Sequence, residues 1–440
     1  MQTIMHDCYA NGAPGQPRLR SPEAHPIKAP DGAARSGAGR AIVEGMSHRT
    51  RLTVALASTL VIGYVFVGSL LGRVLGDTSY GQLSIFNEVV RLVLEAYVEP
   101  VNLDRAMAGA RLGLTEALDG DSAYLDAEEF RLFQQPAKEG DAEVGLVLTR
   151  RFGYLMVVAA RPGSPAERAS MRPGDVVKSI DGRHTRPLAV PTGERLLRGA
   201  PGSVVKLVLL RAGGDPLDVS LTRERLTAVP PRGRMLEDGA GYLKVAEFQP
   251  RVADDVRGEV ESLKRSGAKR LVLDLRGAAF GAPGEGVKVA EMFVRGGVLA
   301  KLNSARGAEQ LLQGDPARVA WEGPLCVLVD NGTAGAGEIV AGAILDAGRG
   351  ELVGEPTFGR AAVQKAVPLP EGGLLLTTGK YSTPKGTSIH GRGLAPSVAV
   401  ARARDDDDDE AAPATTAPAK DLILDKALEL LKDGAAKKAA

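Results

Sequence analysis

The chain holds 440 residues, 44% apolar and 25% charged, with 55 Lys and Arg against 54 Asp and Glu. That balance excludes wholesale disorder, a collagen-like fibre and a polytopic membrane protein, and a formal charge of +1 creates no field that would gather nucleic acid. Aromatics at 4% offer no stacking platform for single strands, and two cysteines cannot build a disulfide scaffold or a structural zinc cluster.

Residues 1–45 are rich in Gly, Ala, Pro and Arg without a hydrophobic period and read as disordered; Met46 is a second candidate start, so this stretch is a candidate for an untranslated one. Within 46–75, Leu52 to Gly72 carries no charge over about 21 residues, enough to cross a hydrocarbon core of about 30 Å as one helix. Arg49 and Arg51 precede it, which predicts a single-pass anchor in the inner (cytoplasmic) membrane with the bulk of the chain on the periplasmic or extracytoplasmic side. A cleaved signal peptide and a buried core helix are the alternatives.

Residues 76–138 read as a helical N-terminal domain, because Ile85, Val89, Val90, Val93 and Leu94 recur at helical spacing; Asp119-Gly-Asp-Ser122 reads as a turn. Residues 139–225 change to short β-rich runs punctuated by Gly and Pro. Residues 226–400 alternate apolar strand-like runs, Leu271–Leu275 and Leu325–Val329, with helix-like segments at Val252–Leu263 and Val287–Phe293, which is α/β patterning with strands buried on both faces. Residues 401–420 carry the acidic run Asp405–Glu410 and an Ala/Pro/Thr stretch, a solvated linker. Residues 421–440 predict a helix with Leu424, Leu428 and Leu431 on one face.

Residues 161–182 run Arg-Pro-Gly-Ser-Pro-Ala-Glu-Arg-Ala-Ser-Met-Arg-Pro-Gly-Asp-Val-Val-Lys-Ser-Ile-Asp-Gly. A helix start, a Pro-Gly-Asp turn, a strand and an Asp-Gly turn follow in order, and the stretch from Val144 to Leu221 resembles a PDZ domain. The resemblance implies a groove in which an extended peptide adds a strand to a sheet edge while backbone N–H groups around Val144, Gly145 and Leu146 hold its terminal carboxylate. Glu143 stands where the family has a second Gly, which predicts weakened carboxylate capture.

The order of helices, PDZ insert and α/β core resembles the C-terminal processing (tail-specific) serine peptidases. The resemblance rests on Leu273-Asp-Leu-Arg276, Gly337-Glu-Ile-Val-Ala-Gly-Ala343, Thr357-Phe-Gly-Arg360, Val363-Gln364 and Lys380-Tyr-Ser-Thr-Pro-Lys-Gly386. It implies an α/β, crotonase/ClpP-like peptidase core with an inserted PDZ domain. It also implies a Ser nucleophile and a Lys base, and those roles fall here on Gly335 and Arg360; the orienting Gln is Gln364. The oxyanion region falls on Ala336 and on Gly277–Gly281, where Phe280 replaces a Gly. Glycine offers no attacking atom, and a guanidinium stays protonated.

The sequence therefore points to an exported, membrane-anchored pseudoprotease that binds polypeptide C-termini or unfolded tails, with an active paralogous protease as a candidate partner. Arg360 is expected to pair with a carboxylate, either Glu338 or a peptide terminus. An active serine endopeptidase with relocated residues stays open, Thr333 and Lys365 being the nearest substitutes, as does a structural envelope protein without a peptide ligand. The five His residues share no metal-ligand spacing, and neither metal nor cofactor is expected.

Overall fold

A computed structural model describes residues 80–135, 141–211, 213–305, 307–401 and 421–439, together with positions 56, 58, 59 and 62. Apart from those four positions the expected anchor lies outside these residues, as do the segment 1–45 and the acidic run Asp405–Glu410, and no helix among those described is long and apolar enough to cross a membrane. The chain divides into two units, Met1–Val101 and Asn102–Ala440. In the first, residues 80–96 form a helix on which Arg91 pairs with Glu88 and Glu95 one turn to either side.

In the second unit, six strands form the core sheet in the order Val398–Ala399, Glu351–Gly354, Leu325–Val329, Arg270–Asp274, Ala240–Lys244 and Arg232–Met235. The first five run parallel and the last is antiparallel. The apolar runs of the two central strands follow from what covers them. Leu271, Leu273, Leu325 and Val327 pack with residues of helices Val252–Arg265 and Ala336–Asp346. Their alternates Val272, Cys326 and Leu328 pack with Ile423, Ala427 and Leu431 of helix Leu422–Ala439. Period-two alternation thus places apolar side chains on both faces.

The PDZ sheet has the order Leu146–Arg151, Tyr154–Ala160, Val176–Ile180, Val204–Leu210, Leu217–Thr222, so Leu146–Arg151 is its edge strand. A third sheet corrects the helical reading of 76–138. Between helices Leu103–Glu116 and Ala127–Gln134, residues Ala123–Asp126 form a strand, antiparallel to Gly372–Ser382. The carboxylate of Asp126 caps the following helix at Glu129, whose side chain returns the bond. Four residues are too short for a periodic signal, and their partner lies some 250 residues on, so local pattern missed them.

Candidate functional site

Strand Leu325–Val329 ends in Asp330-Asn-Gly-Thr-Ala-Gly335, and helix Ala336–Asp346 begins at once. Asp330 builds the turn: its Oδ1 accepts from the N–H groups of Gly332 at 3.0 Å and Gly277 at 2.9 Å. The buried Thr333 hydroxyl donates to the Leu275 carbonyl at 2.9 Å and accepts from the Asp330 N–H at 3.1 Å. It also lies 3.2 Å from Asp330 Oδ1, so the hydroxyl helps to hold the turn. Gly335 sits at φ 56°, ψ −112°, in the region that favours glycine. A Cβ built there would meet the Arg360 carbonyl oxygen at 3.5 Å, an ordinary contact, so backbone conformation rather than crowding sets the preference.

Glu338, wholly buried, ties this turn to the Thr357–Arg360 loop. Its carboxylate accepts from the N–H groups of Gly335 (3.0 Å), Gly359 (2.7 Å) and Arg360 (2.9 Å), and from the Thr357 hydroxyl (2.5 Å). Burial pushes its pKa up to about 7 despite those four bonds. Glu338 therefore holds the Arg360 backbone, and the expected pairing with the guanidinium is not what forms.

The guanidinium turns instead to Asp121. Arg360 Nε lies 3.0 Å from each carboxylate oxygen. Gln364, expected to orient the residue at 360, donates from Nε2 to the Asp121 carbonyl oxygen at 2.7 Å. Asp121 also accepts from the Thr149 hydroxyl of the PDZ edge strand at 3.2 Å. Burial by itself would lower the Arg360 pKa, but Asp121 and Glu194 outweigh it and raise it, so the group is a permanent cation. Lys365 is exposed and offers no replacement base. Sequence reasoning missed Asp121; its one signal, the Asp119-Gly-Asp-Ser122 turn, reads locally as structure alone.

The loop Gly277–Gly281 meets the turn before Ala336, where the Ala334 N–H donates to the Ala278 carbonyl at 3.1 Å. Ala336 is the first helical residue, at a position where the helix gives its N–H no acceptor. Gly281 has φ 107°, and a Cβ there would fall 2.1 Å from the Phe248 carbonyl oxygen. Phe280 and Gly281 pair in parallel with Glu247 and Phe248. Phe280 packs beside Val147 and Val158 of the PDZ sheet, and the Arg161 guanidinium lies 5.4 Å from its ring centroid. Arg161 also grips the buried Glu247 carboxylate through Nε at 2.5 Å and Nη2 at 3.0 Å.

In the PDZ nest, Gly145 has φ 78°, and its carbonyl accepts from the Arg161 N–H at 2.8 Å. The Val144 carbonyl accepts from Ala166 at 3.0 Å, and Leu146 opens the edge strand. Glu143 pairs with Arg161 at 2.9 Å and with Arg198 at 3.9 Å. The edge strand itself is covered. Leu148, Thr149 and Arg150 are all buried. Glu194, on helix Val190–Leu196 across the groove, faces the Leu148 backbone. Gly120 lies so close to Arg150 that a Cβ would fall 2.1 Å from the Arg150 carbonyl oxygen. A cavity of about 280 Å³ remains between these parts, lined by Asp121, Phe133, Glu194, Arg360, Gln364 and Leu375 among others. A larger one, about 1020 Å³, includes Lys244, Asp274, Arg276 and Asp421, whose charges pair with one another. Among the described residues no group of His, Cys, Asp and Glu gathers as a metal site.

Residues 239–400 match peptidase family S41, and residues 156–211 match the PDZ domain. The chain is 30% identical over 334 residues to the carboxy-terminal-processing protease of Bartonella bacilliformis, covering 74% of this chain and 76% of the relative. The chain belongs to the carboxy-terminal processing peptidases of family S41. This S41 chain is also 28% identical over 350 residues to the carboxy-terminal processing protease CtpA of Bacillus subtilis, covering 79% and 75% of the two. With the chloroplastic carboxyl-terminal-processing peptidase 2 of Arabidopsis thaliana it shares 34% identity over 319 residues, 68% of this chain and 61% of the relative. Its fold is similar to that of a photosystem II D1 C-terminal processing protease, with a TM-score of 0.61 and 29% identity over 71% of this chain and 86% of that one.

Proposed function

We propose that this S41 chain is a pseudoprotease that binds polypeptide C-termini or unfolded tails through its PDZ domain and does not hydrolyse them. The observation that carries the reading is the pairing of a bare Cα at Gly335 with an Arg360 guanidinium already engaged by Asp121. Serine peptidases need an attacking hydroxyl and a neighbouring group able to take its proton. Neither Gly335 nor a guanidinium supplies these. By analogy with nucleophile and base deletions elsewhere, the joint loss costs on the order of 10⁶ in turnover, or about 8 kcal/mol of barrier. The Thr333 hydroxyl is held by backbone, which argues against a relocated nucleophile.

The charge-free run Leu52–Gly72 behind Arg49 and Arg51 supports an inner-membrane anchor with the PDZ domain and core on the extracytoplasmic side. In that setting the protein would hold or shield tails, alone or beside an active paralogous peptidase.

The test is labelling with a serine-directed fluorophosphonate alongside a peptide-trimming assay. We expect neither labelling nor trimming by the wild-type chain. Stoichiometric labelling, or trimming abolished by changing one hydroxyl-bearing residue, would overturn the reading. Binding of a library of free C-terminal peptides, lost on amidation, tests the tail-binding half.

A further inference from the structure

Strand addition uses the outward N–H and C=O groups of an edge strand, which recur every second residue. In the PDZ edge strand these include the Leu148 N–H and the Arg150 C=O. Both are faced by the chain itself. The Glu194 side chain faces the Leu148 backbone from a cavity it shares with Asp121 and Arg360, where a ligand strand would lie, and Gly120 lies against the Arg150 oxygen. The turn that carries Gly120 is braced on every side. Asp119 Oδ1 accepts from the N–H groups of Asp121 (3.0 Å) and Ser122 (2.7 Å). Ser122 Oγ accepts from Thr377 at 3.1 Å, Gln364 holds the Asp121 carbonyl, and Arg360 holds its carboxylate. The turn's far side meets the PDZ strand through Thr149, and Arg150 is ion-paired to Glu116 one turn upstream. Helix Ala127–Gln134 adds a tie to the groove helix, where the Thr192 hydroxyl donates to Glu129 at 2.9 Å.

We propose that the turn Asp119–Ser122 and Glu194 act as an internal ligand that occupies the PDZ edge, with Arg360 as the anchor that keeps the turn there. On this view a polypeptide tail adds to the edge strand only when Glu194 leaves Leu148 and the turn leaves Arg150, which breaks the Arg360–Asp121 pair. Tail capture and the Arg360–Asp121 contact are mutually exclusive states, so the apparent affinity for a tail is the intrinsic affinity multiplied by the fraction of molecules with an open edge. The cation at 360 then sets how readily the groove opens. This inference rests on the tail-binding reading above.

The experiment uses the full chain and a pool of fluorescein-labelled decapeptides with free carboxylates and randomised last four residues. Anisotropy is read for wild type, Glu194→Ala and Asp121→Asn, each first shown to be folded by circular dichroism. We expect both variants to bind at least tenfold more tightly than wild type. Hydrogen exchange on the wild type gives a second reading without mutation: at saturating peptide, amides 119–122 should exchange at least tenfold faster. Equal binding by all three proteins, or unchanged exchange at 119–122 in the peptide complex, overturns the internal-ligand proposal and leaves tail binding standing. Absence of binding by every protein, the opened variants included, overturns tail binding and this proposal together.

Discussion

Arg360 and Asp121, 239 residues apart in sequence, are joined through Nε at 3.0 Å to each carboxylate oxygen. The pair links the loop that carries the family's base position to a turn lying on the PDZ edge strand. Its side chains are unequally covered, Arg360 being 25% exposed and Asp121 7%. That asymmetry sets what its removal should cost.

Asp121→Ala strands a half-buried cation. Breaking a fully buried pair costs about 3–5 kcal/mol, and the exposure of Arg360 discounts this to about 2 kcal/mol. Urea unfolding measures it. The double variant Asp121→Ala with Arg360→Ala should lose clearly less than the sum of the single losses, because the second change removes the orphaned charge. Additive losses would show the pair to be energetically idle.

Gly335→Ser places a side chain at φ 56° with room for its Cβ. We expect a folded protein weakened by about 1–2 kcal/mol of backbone strain. It should not be labelled by a fluorophosphonate, since Arg360 stays protonated and cannot activate the new hydroxyl. Adding Arg360→Lys should restore little trimming, because the Phe280 loop is held in a strand pair with Glu247 and Phe248. Robust trimming by the double variant would show that loop to be competent.

Glu338 gives a pH dependence. Its folded pKa, about 7, lies above the ordinary 4.5, so the native state holds the proton more tightly than the unfolded chain. The stability this contributes is fully present below pH 4.5 and is lost as pH rises through 7, about 3 kcal/mol in all. Glu338→Gln cannot titrate. The stability gap between wild type and this variant should therefore narrow by that amount from pH 4.5 to 8, read by urea unfolding across the range. A gap independent of pH would place the Glu338 titration elsewhere.

The C-terminal helix should shield Cys326. Ile423, Ala427 and Leu431 pack on Val272, Cys326 and Leu328, and Asp421 pairs with Arg276 at 2.9 Å. Burial pushes the Cys326 thiol up to about 12. In a Cys8→Ser background, Ile423→Asp or Arg276→Ala should loosen the helix and raise the rate of Cys326 modification by a thiol reagent at least tenfold. An unchanged rate would mean that the sheet protects Cys326 without the helix.

The residues by themselves determined the α/β core, the PDZ insert, the family and the two odd positions. Those signals are local: apolar runs such as Leu325–Val329, Gly and Pro at fixed offsets in 161–182, and a glycine and an arginine inside recognisable motifs. The tertiary structure alone decided where the Arg360 charge goes, that Ala123–Asp126 joins a sheet with Gly372–Ser382, and that Glu194 covers Leu148. A four-residue strand has no period to read, and a carboxylate's partner is set by distance in space. Asp121 and Glu338 are both acids near the same arginine; only the packed chain hands one the side chain and the other the backbone.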